Sequence, residues 1–521
     1  MTSNLPFGEA DASNVNFSEL KETYISFRNG DSSLQDSIDP SVRVIFGKKG
    51  SGKTLYLRAI VDHLKNTFTN VDSNYVTNID NEPPSSYLIS KVSSWFTDEP
   101  RKADEIWRDV WKVVIIKTTL SHILYSPHLS SHISQNKKEE LLSTYKEILP
   151  KGKAPATIFS QLKSTLNNFN SEKDLERFVN NELWGSLEFE LSNIIQNTPP
   201  IYFFLDQLDD DFINSPHAWL SCQYGLFRAI FRFIRNGTYG RRLHVIACLR
   251  EFVYAYVLNN QDGSKYYSES KIVVLKWNQN DTSYFLKKKV ENLDKKYFRG
   301  DDSKSLESYF GLKNVVTKRD KDYKEDLDKY IVRHTMLMPR NIIDIGNEFY
   351  KNVNSITNKN SNLDNLRKSV KNIAKQIATE QLNIVAMFIT TKWIYKGAYE
   401  QGVDNVYYED YFVGGTQHNL EKLIISIKKD RFTNQTLMNR IRDKGNYGFD
   451  KHEKPFNAMF LTGLLGYVNE NEFGEKTELF FSESRESQYQ LPMHKKEYVF
   501  HSSLIDYLGI KPTKAPVYAQ Y

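Results

Sequence analysis

Strand-type runs recur along the chain at Val42 to Phe46, Tyr75 to Ile79, Ile201 to Leu205, Leu243 to Leu249 and Ile272 to Leu275, with helical periodicity between them. Runs without polar alternation suit strands buried on both faces, and strands that alternate with helices predict a parallel sheet covered by helices on both sides. The expected fold class is therefore α/β. The sheet core should span residues 41–280, with a helical insertion at about 81–198, where Trp107, Trp111 and Val114 fall at helical spacing and read as core packing. A Lys/Pro/Gly break at Pro150 to Pro155 interrupts that insertion. Residues 281–380 keep helical periodicity around the charged string TKRDKDYKEDLDKY and an Asn/Ser/Lys linker near Asn358 to Asn362, and predict a helical lid rather than more sheet. Residues 381–521 bring alternating aromatic and apolar strings that close with a helix, a loop and the strand-like Tyr498, Val499, Phe500. Residues 1–40 read as a polar arm with one helix-like patch around Phe17 to Phe27, and no internal repeat is visible.

Composition narrows the class. At 521 residues, with 40% hydrophobic and 26% charged positions, the chain reads as a soluble globular protein of several domains. No stretch approaches the ~20 apolar residues of a membrane helix, and the N-terminus lacks the basic and apolar regions of a signal peptide, so a cytoplasmic location is expected. Two cysteines, Cys222 and Cys248, rule against a disulfide scaffold or a cysteine zinc site. His128 and His132 share an HxxxH spacing without an adjacent acid and read as surface residues. Residues 1–40 hold seven acidic and two basic side chains, a net of −5, so with +5 overall the remainder carries about +10. A basic body tolerates nucleic acid without demanding it.

Candidate chemistry changes the picture more. GKKGSGKT at Gly47 to Thr54 follows the first strand run and precedes a helical pattern, the setting of a Walker A phosphate loop. Gly47, Gly50 and Gly52 let the backbone curl so that its NH groups point inward around phosphates, and a following helix adds its positive N-terminal end. Lys53 supplies a point charge, and Thr54 is a candidate magnesium ligand. The predicted ATP-contacting set is Gly47, Lys48, Lys49, Gly50, Ser51, Gly52, Lys53, Thr54 and Leu55. A second magnesium partner is expected at the end of a buried strand, and Asp206 stops the run in PPIYFFLDQLDDDF. Asp209 and Asp210 are candidates to polarise an attacking water, against the alternative of a solvated acidic loop; Gln207 stands where many hydrolytic ATPases keep an acid. Arg250 ends the strand LHVIACLR and would face a γ phosphate as a sensor, the alternative being a structural partner for Glu251. Arg340 opens the helix in HTMLMPRNIIDIGNEF after Pro339, with Ile342, Ile343, Ile345 and Phe349 as its buried face, and would reach a nucleotide from the lid unless it merely forms a salt bridge.

Phosphate loop, LDQLDDD, Arg250 and Arg340, in that order, resemble the AAA+ and STAND branch of P-loop ATPases, and more narrowly bacterial conflict-system ATPases of the STAND and KAP type. IWRDVWK, IVVLKWNQNDTSYFLKKKV and MPRNIIDIGNEF strengthen the narrower likeness, which covers residues 41 to about 350. FNAMFLTGLLGYV with EYVFHSSLIDYLGI is similar to the winged-helix ending of such proteins. The resemblance implies a P-loop fold with a helical lid, ATP and magnesium as cofactors, and nucleotide-controlled assembly of a homo-oligomer, as in an antiviral-defence component. Gln207 departs from the pattern and points to slow or regulated hydrolysis. No nuclease, NADase or deaminase motif is present, so an effector protein would be encoded separately. The contrasting reading is a DNA loader or remodeller: residues 421–460 hold nine basic and five acidic side chains, and Arg440, Arg442 and Lys444 are candidates to face phosphates. That charge excess is too small to favour it.

Overall fold

The computed structural model describes residues 5–11, 17, 25, 38–67, 74–82, 86–96, 99–149, 154–208, 216–259, 263–298, 303–316, 324–354, 361–389, 414–447, 449, 455–481 and 490–512. Five parallel strands form the central sheet in the order β2-β3-β4-β1-β5: β1 (Val44–Gly47), β2 (Tyr75–Asp80), β3 (Ile201–Leu205), β4 (Leu243–Arg250) and β5 (Ile272–Leu275). The helices used below are α1 (Lys53–Thr67), α2 (Pro100–Tyr125), α3 (Pro216–Arg235), α4 (Pro339–Asn354), α5 (Asn362–Ile389), α6 (Asn434–Arg442), α7 (Pro455–Thr462) and α8 (Ser502–Leu508).

β1 and β4 lie inside the sheet and every residue of both is buried, which is why they read as unbroken apolar runs. Side chains still alternate between the faces. Ile45, Phe204, Ile246 and Cys248 meet Tyr56, Leu57, Ile60 and Leu64 of α1 on one side. Phe46, Phe203, Val245 and Leu249 join the larger core on the other, which contains α2 and α3. Trp107 and Trp111 of α2 are fully buried. Trp111 Nε1 donates to the carbonyl of Cys222 at 2.9 Å. α3 approaches so closely that a Cβ on Gly225 would lie 2.5 Å from that of Trp107. Helices between Ser86 and Ile195 make up the insertion between β2 and β3.

The lid differs from the all-helical expectation. Asn314–Val316 (β6) pairs antiparallel with Lys324–Asp326 (β7). Three residues per strand are too few to leave a periodic signal, and buried Glu325 in β7 has its charge compensated by an ion pair with Arg333 at 2.8 Å. The expected boundary at residue 380 falls inside α5, which packs on α4 and also on Gly414–Ile427, α7 and α8. Lid and C-terminal region therefore share one helix. The C-terminal sheet is antiparallel, in the order β10-β9-β11-β8, with β8 (Arg431–Thr433), β9 (Leu465–Glu470), β10 (Lys476–Leu479) and β11 (Glu497–Phe500).

α4 begins at Pro339 as expected and buries Ile342, Ile345 and Phe349, while Ile343 is half-buried. Its buried face also holds Asn347, because the start of the chain packs there. Phe7 is fully buried against Gly346, its NH donates to Asn347 Oδ1 at 3.0 Å, and Asn347 Nδ2 donates to the Gly8 carbonyl at 2.9 Å. The helix-like patch from Phe17 to Phe27 lies almost wholly outside the described residues. Among the described residues no helix is long and apolar enough to cross a membrane.

Candidate phosphate-binding site

The GKKGSGKT segment leaves β1 at Gly47 and enters α1 at Lys53, at the carboxyl end of the parallel strands, where open α/β sheets place their ligands. Gly50 and Gly52 have φ of +84° and +100°, a region that side chains with a Cβ avoid. A side chain on Gly47 would collide with Ser51 Oγ, which is buried and has no hydrogen-bond partner among the described residues. An orphan hydroxyl in such a loop suits an acceptor-rich ligand, because leaving it unsatisfied costs about 1–3 kcal/mol. Lys53 is only 7% exposed, and its Nζ donates to the carbonyls of Gly47 and Lys48, each at 3.1 Å. The ammonium is thus held at the centre of the loop. Thr54 and Leu55 follow in the first turn of α1, both half-buried.

The registers align the other candidates. Gly47 pairs with Arg250 across β1 and β4, and Leu205 pairs with Ala247 across β3 and β4. Asp206, one residue beyond β3, therefore sits two rungs short of Arg250 at the same sheet end. It is 4% exposed, and its NH donates to the Asp80 carbonyl at 3.0 Å. The next residue, Gln207, takes φ +57°, a left-handed turn that costs a non-glycine residue about 1–3 kcal/mol. Asp209 and Asp210 lie outside the described residues.

Sequence reasoning missed three residues that hold this end together. Fully buried Gln223 of α3 donates from Nε2 to the Leu208 carbonyl at 3.3 Å and accepts from the NH of Arg250 at 3.1 Å, tying the ends of β3 and β4 to each other. Trp277 Nε1, just past β5, donates to the Ser51 carbonyl at 3.0 Å and braces the loop from outside. Glu380 of α5 pairs with Lys49 at 3.4 Å. Only long-range contact reveals such roles, and nothing local in the sequence of α3 singles out Gln223 among its other polar positions.

Lys48, Lys49, Arg250 and Arg340 line a single cavity of about 60 Å³, closed on its far side by Ile377, Gln381 and Thr462. Lys53, Thr54 and Asp206 lie outside it. Arg340 reaches the loop from the lid: a Cβ on Gly50 would lie 2.9 Å from Arg340 Cβ. Its Nε also donates to the Ala10 carbonyl at 3.4 Å. The chain reaches Arg340 through Met336 and Leu337, two consecutive residues with φ of 48° and 60°. Burial raises the Asp344 carboxyl pKa, and the pull of Arg340 and Lys351 opposes that rise. Lys48 Nζ points into the C-terminal region, 3.2 Å from where a Cβ on Gly463 would stand. Burial holds the pKa of His501 down to about 3, and the charges of its neighbours His334, Lys48 and Arg333 push the same way. Small-molecule pockets usually hold at least ~300 Å³, so this cavity is too small for a nucleotide as it stands.

Among the described residues no group of three or more His, Cys, Asp or Glu could hold a metal ion. A magnesium held by one hydroxyl, one carboxylate, phosphate oxygens and water needs no such group, and Thr54 and Asp206 supply the right oxygens at the right sheet end. No protein-family model matches this chain, and no curated protein matches it.

Proposed function

We propose that this protein is a P-loop ATPase of regulatory type, which binds ATP with magnesium at the GKKGSGKT loop and uses nucleotide state to change contacts between its sheet core, lid and C-terminal region. The observation that carries this reading is the loop itself: two left-handed glycines, an orphan Ser51 hydroxyl and a centred Lys53 ammonium at the carboxyl end of a parallel sheet, one strand pairing away from Arg250. Lys53 and the loop NH groups hold the phosphates, Thr54 and Asp206 the magnesium, and Arg250 with Arg340 the γ phosphate. With Gln207 in place of an acid, hydrolysis is slow or regulated. The order helix, β8, α6, α7, β9, β10, β11 supports a winged-helix reading of the C-terminal region. Homo-oligomer assembly, a bacterial antiviral setting and a separately encoded effector rest on the family resemblance alone.

The DNA-docking alternative has less support. α7, the helix a winged fold would present, has all but one of its residues buried and packs on α5. Arg440 donates to the Ser426 carbonyl at 3.2 Å and lies 3.6 Å from Asp443; Arg442 is exposed, and the Lys444 side chain lies outside the described residues.

Lys53→Ala tests the reading. Loss of a charge-assisted contact should weaken binding of a slowly hydrolysed ATP analogue roughly tenfold or more, with the fold retained by circular dichroism. Asp206→Asn should keep the analogue but turn ATP over far more slowly, and Asp209→Ala should do likewise if that residue polarises the water. Full affinity and turnover in folded Lys53→Ala would end the ATPase reading.

A further inference from the structure

A second cavity, of about 640 Å³, opens where the β6–β7 hairpin, the N-terminal half of α5 and the end of α8 meet. Its volume lies within the ~300–1,000 Å³ of small-molecule pockets, and nothing in the proposed ATPase cycle uses it. Four cations line it, Arg333, Arg367, Lys371 and Lys511, against one acid, Asp506. That acid is already engaged, since His334 Nε2 lies 2.9 Å from Asp506 Oδ2. Half-buried Arg333 is fixed by Glu325 at 2.8 Å and by Ser502 Oγ at 3.0 Å, and its guanidinium lies 5.1 Å from the centre of the Tyr330 ring. Arg367 is held at the wall by the Val316 carbonyl. Lys371 and Lys511 stand exposed at the mouth and have no ion-pair partner among the described residues. Val315, Ile505 and Ile510 give the cavity an apolar floor.

We propose that this cavity is a second anion site, which takes a phosphorylated small molecule with an apolar portion. Held arginines provide fixed donors for phosphate oxygens, the two lysines attract and close over the charge, and the floor with Tyr330 receives the uncharged part. Neither the loop nor Arg340 takes part, so the inference stands apart from the ATPase reading.

Inorganic pyrophosphate is the probe, titrated by calorimetry into the full chain carrying Lys53→Ala, which disables the phosphate loop. One pyrophosphate per chain should bind, more weakly as salt rises, and adenosine, which lacks the charge, should compete poorly. Adding Lys371→Glu and Lys511→Glu, both on exposed positions that leave the fold intact, should cut the affinity at least about tenfold, because like charges then face the anion. No saturable binding to the Lys53→Ala chain, or an affinity unchanged by the two reversals, overturns the site. A further pyrophosphate bound by the unaltered chain and lost with Lys53→Ala belongs to the phosphate loop, and reports on the ATPase reading separately.

Discussion

The helical insertion and the junction around the phosphate loop sit on the same parallel sheet yet are held together by different forces. In the insertion, Trp107, Trp111 and Trp184 are fully buried, and the polar parts of those rings donate to fixed acceptors such as the Cys222 and Phe178 carbonyls. At the junction, contacts arrive from distant segments and are polar or lie at the surface: Lys49 with Glu380, Arg340 with Ala10, Lys48 beside Gly463. Apolar interdigitation has one good arrangement and is expensive to undo, whereas single ion pairs and hydrogen bonds exchange partners at a cost of about 1 kcal/mol. The first region is therefore scaffold. The second has the energetics of a switch, and on the proposed ATPase reading phosphate oxygens would replace its carboxylate and carbonyl partners.

The contrast breaks first at Trp111→Ala. Removing a fully buried indole should cost about 3–5 kcal/mol in denaturant unfolding, and the chain that still folds should bind an ATP analogue with near-normal affinity. A Trp111 variant with native stability, or one with selective loss of nucleotide binding, would erase the distinction between scaffold and switch.

Arg250 and Arg340 sharpen the same contrast from the other side. Each is predicted to meet the γ phosphate through a charge-assisted contact worth roughly 1.5–3 kcal/mol, a tenfold or larger effect on an open and closed balance. Replacing either with alanine should therefore weaken ATP-dependent closure or assembly more than ADP binding. Sedimentation of the wild type and both variants with ATP analogue and with ADP is the measurement. Identical nucleotide dependence in all three proteins would make these arginines structural and remove the switch.

The same division marks what could be read from the chain. All five parallel strands fall where strand-type runs predicted them, within two residues; β1 and β4 carry long apolar strings because they are buried on both faces, whereas the edge strand β2 is only partly buried. The places of GKKGSGKT between β1 and α1, of Asp206 and Arg250 at strand ends and of Pro339 at the start of α4 were equally legible, since each couples a residue type to a local backbone feature. Gln223, Trp277 and Glu380 were not: their roles depend on partners 15 to 331 residues away, and no local periodicity marks them. Phe7 against Gly346 is the same case, with a polar arm hiding one apolar anchor. β6 and β7 were missed because three-residue strands carry no period, and the break expected at residue 380 does not occur there because α5 runs through it.

The smallest effect is expected at Glu380→Gln, and it decides whether the Lys49 contact is a latch or mere decoration. Both side chains are 38% exposed, so the pair contributes at most about 1 kcal/mol to stability, and unfolding should hardly move. If Glu380 competes with phosphate for Lys49, removing its charge should tighten ATP-analogue binding by up to about fivefold, the same ~1 kcal/mol read on the other side of the equilibrium. Lys102 offers the control. It pairs with Glu172 and Glu176 in the insertion at similar exposure, so Lys102→Met should change stability by a comparable small amount and leave nucleotide affinity untouched. Equal nucleotide affinities for the wild type and both variants would mean that the loop does not exchange partners with α5, and that opening of the cavity depends on Arg340 and the N-terminal segment instead.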